Sequence, residues 1–268
     1  MKTTFPTLFV SHGSPMWAVE PGPIAPALRQ LVSPWPKPRA IVVISAHWMS
    51  RTPQLSTAQQ PETVYDFYGF PSVLYTLQYP AKGPDDETVQ LIMDSVQPTI
   101  LHSMANNPQR GLDHGAWVPL RHMYPDADVP VAEISMYPSM SPAEQYQFGQ
   151  ALNQLRHQGV LVIGSGSLTH NLHEMQPDGA PVPVYVQEFR SWVSEHLAQG
   201  DLESMLHYRE LSPAGARAHP TPDHLMPLFV AMGAGSDALS EVKYIEGQTT
   251  NGVINMDAYM FGAAPVVQ

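Results

Sequence analysis

The chain of 268 residues has no cysteine. Disulfides, thiolate metal sites and cysteine nucleophiles are therefore excluded, and any bound metal must rely on His, Asp, Glu or water. Charge is also scarce. Only 14% of residues are Asp, Glu, Lys or Arg, against roughly 25% in an average globular protein. Acidic residues outnumber basic ones by 24 to 13, giving a formal charge of −11 with no basic cluster. Such a surface repels phosphate backbones, so no nucleic-acid partner is expected. No apolar run approaches the ~18 residues of a membrane span, so no membrane association is expected either. The apolar stretch ahead of His12 is short and broken by Pro6, unlike a secretory signal. These absences point to a soluble cytoplasmic protein.

Several familiar catalytic motifs are missing as well. The GSGS run at 164–167 does not fit the G-x-S-x-G nucleophile elbow. No G-K-[ST] follows it, so it is not a phosphate-binding loop, and H-E-x-x-H is absent.

What is present is a set of short apolar runs: 7–10 (TLFV), 40–45 (AIVVIS), 129–134 (VPVAEI) and 160–163 (VLVI). Each is short and nearly continuous, as parallel strands buried on both faces are. Pro130 weakens the third. Helical patterns fall between them at 25–31, 85–95, 141–157, 184–199 and 222–232. Ser141, Pro142 and Glu144 open the 141–157 segment as a capping box, and Gly159 follows its end. Residues 243–260 read as late strands around a turn at Asn251-Gly252. Alternating strands and helices predict an α/β fold: a single domain over residues 1–268, with a central, mainly parallel sheet flanked by helices. Its active site is expected at the carboxyl ends of the strands. The 28 prolines are interleaved with apolar runs, which fits rigid loops rather than disorder.

Twelve histidines are present, and their placement matters more than their number. His12 follows TLFV and His47 follows AIVVIS, each after one intervening residue, and His170 follows VLVI through a glycine-rich loop. Three imidazoles past strand ends suit a metal site, because fixed strand ends set ligand geometry. His114, in LDHGAWVPL, and His224, in HPTPDHLMPL, join them by context. Taken singly, any loop histidine is most often a hydrogen-bonded structural residue. His102, His122, His157, His196 and His207 keep that reading, and His173 and His219 stay ambiguous. The loop YDFYGFP at 65–71 reads either as local packing or as a wall for a flat aromatic substrate.

SHGSP, SAHW, YDFYGFP, DHGAWVPL, GSGSLTHNL and PTPDHLMPL, in that order, resemble the class III extradiol ring-cleavage dioxygenases. The resemblance is strongest to the DOPA 4,5-dioxygenase-like branch, related to the catalytic subunit of protocatechuate 4,5-dioxygenase. It implies an oxidoreductase of aromatic catabolism with one divalent metal, Fe(II) for catalysis, acting on a small aromatic diol and dioxygen. Carried over by motif, His12 and His47 are metal ligands, His170 is the acid/base, and His114 contacts substrate or dioxygen. The superfamily's carboxylate ligand is replaced here by His224. That three-histidine set also resembles zinc sites, so Zn(II) is an expected occupant of the isolated protein. His170 stays open as a fourth ligand. Asp223, placed on the same helix as His224, is expected to point about 100° away from it. Two other readings remain at this stage: a zinc hydrolase using the same histidines, and a non-catalytic, partner-binding relative. The resemblance favours a side-chain-bearing catechol such as DOPA, and oligomeric state is not legible.

Overall fold

A computed structural model describes residues 3–96 and 104–265; His102 lies outside them. The apolar runs fold into the strands they predict. These are β1 (Thr7–Ser11), β2 (Ala40–Ser45), β5 (Val131–Glu133) and β6 (Val160–Gly166); two short strands that no apolar run announces, β3 (Gln54–Ser56) and β4 (Ala105–Asn107), pair with each other. The C-terminal stretch adds β7 (Val242–Ile245), β8 (Thr249–Thr250), β9 (Ile254–Asn255) and β10 (Ala258–Phe261). The main sheet has the order β5-β2-β6-β1-β10-β7. Its first four strands are mutually parallel, and β10 and β7 complete it antiparallel. Every residue of β1, β2 and β6 is buried, as continuous apolar runs in a doubly covered sheet should be.

Nine α-helices occur among the described residues: α1 (Ile24–Val32), α2 (Asp86–Val96), α3 (His114–Met123), α4 (Pro142–Arg156), α5 (Val184–Gln199), α6 (Leu202–Leu206), α7 (Tyr208–Leu211), α8 (Gly215–Ala218) and α9 (Met226–Ala234). None of them is long and apolar enough to cross a membrane. The Ser141 box forms as expected: Ser141 Oγ accepts from the Glu144 amide at 3.3 Å, and a Glu144 carboxylate oxygen accepts from the Ser141 amide at 2.7 Å. The α3 segment is helical although its Gly and Pro obscure the pattern, with Asp113 as N-cap. The last long helix starts at Met226 rather than Pro222, because residues 222–225 form a turn first.

Helices cover both faces of the sheet. Side chains alternate along β6, and two neighbours show the two layers. A Cβ on Gly164 would meet the Pro227 carbonyl of α9, whereas the Ser165 hydroxyl reaches the Gly115 carbonyl of α3. On the α9 side the helices approach at backbone distance. A Cβ on Gly149 of α4 would lie 2.2 Å from the Val230 carbonyl oxygen. Gly149→Ala is therefore expected to force α4 and α9 apart and cost about 1–3 kcal/mol, as overpacking does. Thermal denaturation should show a midpoint lower by several degrees; an unchanged midpoint would contradict this packing.

The register brings the reactive loops together. Ser165 of β6 is level with Val10 of β1 and Ser45 of β2. The His12 amide donates to the Gly166 carbonyl at 2.9 Å, and the Ala46 amide to the Ser165 carbonyl at 3.0 Å. β1 and β2 thus deliver His12 and His47 to either side of β6, at the carboxyl edge.

Candidate metal centre

Four of the five singled-out histidines are close neighbours around His12 and His47, and the fifth, His170, stacks on one of them. His12, His114 and His224 are buried, with 1%, 4% and 6% exposure, and His47 and His170 are partly exposed. The Nε2 atoms of His12 and His47 are 3.0 Å apart, and those of His47 and His224 are 3.3 Å apart. Two nitrogens each about 2.1 Å from one ion stand roughly 3.0–3.4 Å apart for bond angles between octahedral and tetrahedral. The separations therefore match donors sharing an ion.

The opposite ring nitrogens all face a hydroxyl or a carboxylate, which bears on the tautomers. His12 Nδ1 lies 2.9 Å from Ser165 Oγ. That hydroxyl donates its own proton to the Gly115 carbonyl at 2.5 Å, so it must accept from His12 Nδ1–H. The Gly115 carbonyl is free to accept because the residue one helical turn later is Pro119, which has no N–H. A proline inside a helix thus fixes a histidine tautomer on another strand. His224 Nδ1 is in short contact with the Asp223 carboxylate. His47 Nδ1 lies 3.5 Å from Asp66 Oδ2. His12 and His224 therefore carry their protons on Nδ1, which leaves the Nε2 lone pairs on the side where the Nε2 atoms meet His47. Facing lone pairs repel, and a cation among them removes that repulsion.

Electrostatics support neutral rings. Burial, followed by neighbouring imidazoles, lowers His12 well below the usual histidine value. Burial and His114 bring His47 down to about 4. Burial takes His224 to about 3, although Asp223 opposes it. Burial alone would raise Asp66, but hydrogen bonds from His114 dominate and hold it down at about 2. Asp66 Oδ1 accepts from the His114 amide at 2.9 Å, and Oδ2 from His114 Nδ1 at 3.0 Å. The His114 ring lies 4.0 Å from that of His47 and 5.3 Å from that of His12. His170 stacks on His224, with ring centroids 3.5 Å apart and an interplanar angle of 8°. Its amide donates to the Ala218 carbonyl at 2.9 Å. Neither of its ring nitrogens has a hydrogen-bond partner among the described residues.

Three supporting residues escape sequence reasoning. Asp66 sits in the aromatic loop, where both readings rest on the rings and neither on the carboxylate. Ser165 passes as one of several small residues. Asp223 was expected to point away from His224; because the two precede α9 in a turn rather than a helix, the carboxylate instead meets Nδ1. The aromatic loop does pack locally, with Phe67 5.3 Å from Tyr75 and 5.5 Å from Phe70, but Phe67 is also 5.8 Å from His114. Ser165→Ala should weaken metal affinity by roughly 10–100-fold, since His12 loses the partner that orients it. Competition against a chelator measures this, and affinity equal to the parent's would refute the relay.

Known proteins place this geometry. The family model for the catalytic LigB subunit of aromatic ring-opening dioxygenase matches residues 6–261. A 4,5-DOPA dioxygenase extradiol from Beta vulgaris is 39% identical, over 95% of this chain and 96% of that protein. A protein of the same name from Escherichia coli K12 is 35% identical, over 87% and 86%. Among solved structures, an uncharacterized protein of Escherichia coli K12 matches with a TM-score of 0.78 and 28% identity, covering 96% of this chain and 100% of that one. With its carboxyl-edge histidine cluster on a mainly parallel sheet, the chain belongs to the LigB family of extradiol ring-opening dioxygenases.

Proposed function

We propose that the protein opens the ring of a side-chain-bearing catechol of the DOPA type with dioxygen, at a non-haem Fe(II) held by His12, His47 and His224. The observation that carries this is the meeting of three Nε2 atoms, that of His47 with those of His12 and His224, where the Nδ1 atoms of His12 and His224 are hydrogen-bonded from behind and that of His47 faces Asp66. Bound Fe(II) would supply the electron transfer between catechol and dioxygen that no side chain here can perform.

The remaining roles fall to the protein. His170 takes a catechol hydroxyl proton and returns it later in the reaction. Burial lowers its pKa, so it rests as a free base. Its stacking on His224 favours this role over that of a fourth ligand. An imidazole binds metal in its own plane, and the His170 plane runs parallel to that of His224 at about the 3.5 Å stacking distance. An ion held by His224 would meet the stacked face of His170 rather than a ring nitrogen, which leaves His170 free for proton transfer. His114, anchored through Nδ1 on Asp66, keeps its other nitrogen for the substrate or for negative charge developing on oxygen. Phe67 offers an aromatic surface beside it.

The all-nitrogen donor set also matches hydrolytic zinc sites, which sets the control. The protein is loaded anaerobically with Fe(II) or Zn(II), then given DOPA, protocatechuate or caffeate in oxygenated buffer. Oxygen uptake matched mole for mole by catechol loss, together with a yellow semialdehyde, is expected with iron alone. No uptake with any catechol, or hydrolytic turnover with zinc, overturns the reading.

A further inference from the structure

Beyond the histidines a cleft of about 210 Å³ opens between the loop after β1 and the β8–β9 hairpin. Two of its walls come from chain that adjoins metal-centre residues. On one side Ser14, two residues past His12, caps the short 3-10 helix Pro15–Ala18 and sends Met16 and Trp17 into the cleft. Met256, from the opposite wall, packs against Gly13, its sulfur 2.3 Å from where a Cβ there would stand. On the other side Phe70 lies 5.5 Å from Phe67, which touches His114.

The chemistry of the lining is one-sided. Among the described residues, Glu20 and Asp178 are its only ionisable lining groups, and no Lys, Arg or His lines it. Neither carboxylate has a salt-bridge partner among the described residues; Asp178 accepts only from the Asn251 amide, at 3.2 Å. Arg217, on the neighbouring segment, is held by both oxygens of Glu174. The rest of the lining includes thioethers and the Trp17 and Phe70 rings, groups that accept an alkyl arm and attract cations through their faces.

We propose that this cleft is the subsite for the catechol's side chain, and that it selects a side chain ending in an ammonium over one ending in a carboxylate. This rests on the catechol reading above. Glu20 and Asp178 act as specificity residues at long range rather than in the reaction. A side chain carrying both charges, as in DOPA, falls between the two extremes.

Binding is measured by calorimetry on the zinc-loaded protein, where the redox-inert metal prevents ring opening. The probes are dopamine, 3-(3,4-dihydroxyphenyl)propionate and, as a reference without a charged arm, 4-methylcatechol. Dopamine is expected to bind about tenfold more tightly than the propionate, and added salt should shrink the difference, since the carboxylates face solvent. In the double variant Glu20→Gln, Asp178→Asn the preference should fall below about threefold. Equal or tighter binding of the propionate, or a preference undiminished in the double variant, overturns the subsite. Should the amine preference hold on the zinc protein while the iron protein takes up no oxygen with any catechol, the dioxygenase reading falls and the subsite stands. Failure of 4-methylcatechol to bind at all overturns both.

Discussion

His47→Ala is expected to leave a folded protein that no longer retains metal and no longer consumes oxygen. The His47 Nε2 is the middle member of the set, 3.0 Å from that of His12 and 3.3 Å from that of His224. Removing it leaves two donors with no third to close the face. Loss of a supporting partner behind a ligand typically costs about 10–100-fold in affinity or activity, and loss of the ligand itself must exceed that. Folding should survive, because the side chain is only partly buried and its removal opens no sealed cavity. Metal content by elemental analysis, set beside the thermal midpoint, separates the two effects. Retention of a full equivalent of tightly bound iron would show that the ion sits elsewhere.

Substitution of His170 should give the opposite signature, with metal retained and turnover lost. General acid/base groups typically contribute about 10²–10⁴-fold, so kcat should fall by that order. Alanine also removes the ring stacked on His224, which could disturb the ligand. His170→Phe keeps a flat ring against His224 without a titratable nitrogen, and is the cleaner variant. His170→Phe should hold one metal equivalent and bind catechol with little change in Kd. Loss of metal from His170→Phe would make His170 a ligand; near-normal kcat would remove it from the proton path.

These outcomes bear on how far the residues themselves announced the site. The four parallel strands were legible because strands buried on both faces read as unbroken apolar runs, and all of β2 and β6 is indeed buried. Their ends placed His12, His47 and His170 on one edge before any distance was known. Other features depend on contacts that local patterns do not encode. Helix α3 hides behind Gly115 and Pro119, two residues with poor helix propensity, and is buried nearly all round, so it lacks an amphipathic stripe. Asp66 reaches His114 across 48 residues of sequence, and Ser165 reaches His12 across 153. The turn at residues 222–225 delays α9 and places Asp223 against His224. A proline early in a helical pattern gave no means of telling that turn from a first helical turn.

The position of the ion separates this arrangement from its nearest competitors. Ligand atoms of His12, His47 and His114 also lie within 4.8 Å of one another, as do those of His170, Asp223 and His224. Either trio could hold a metal by proximity alone. Anomalous diffraction at the iron edge, from crystals grown and loaded with Fe(II) without air, distinguishes all three. A single peak bonded to the Nε2 atoms of His12, His47 and His224, with His114 and His170 unbound, is the predicted result. A peak bonded to His114, or one in the His170–Asp223–His224 group, would contradict the account.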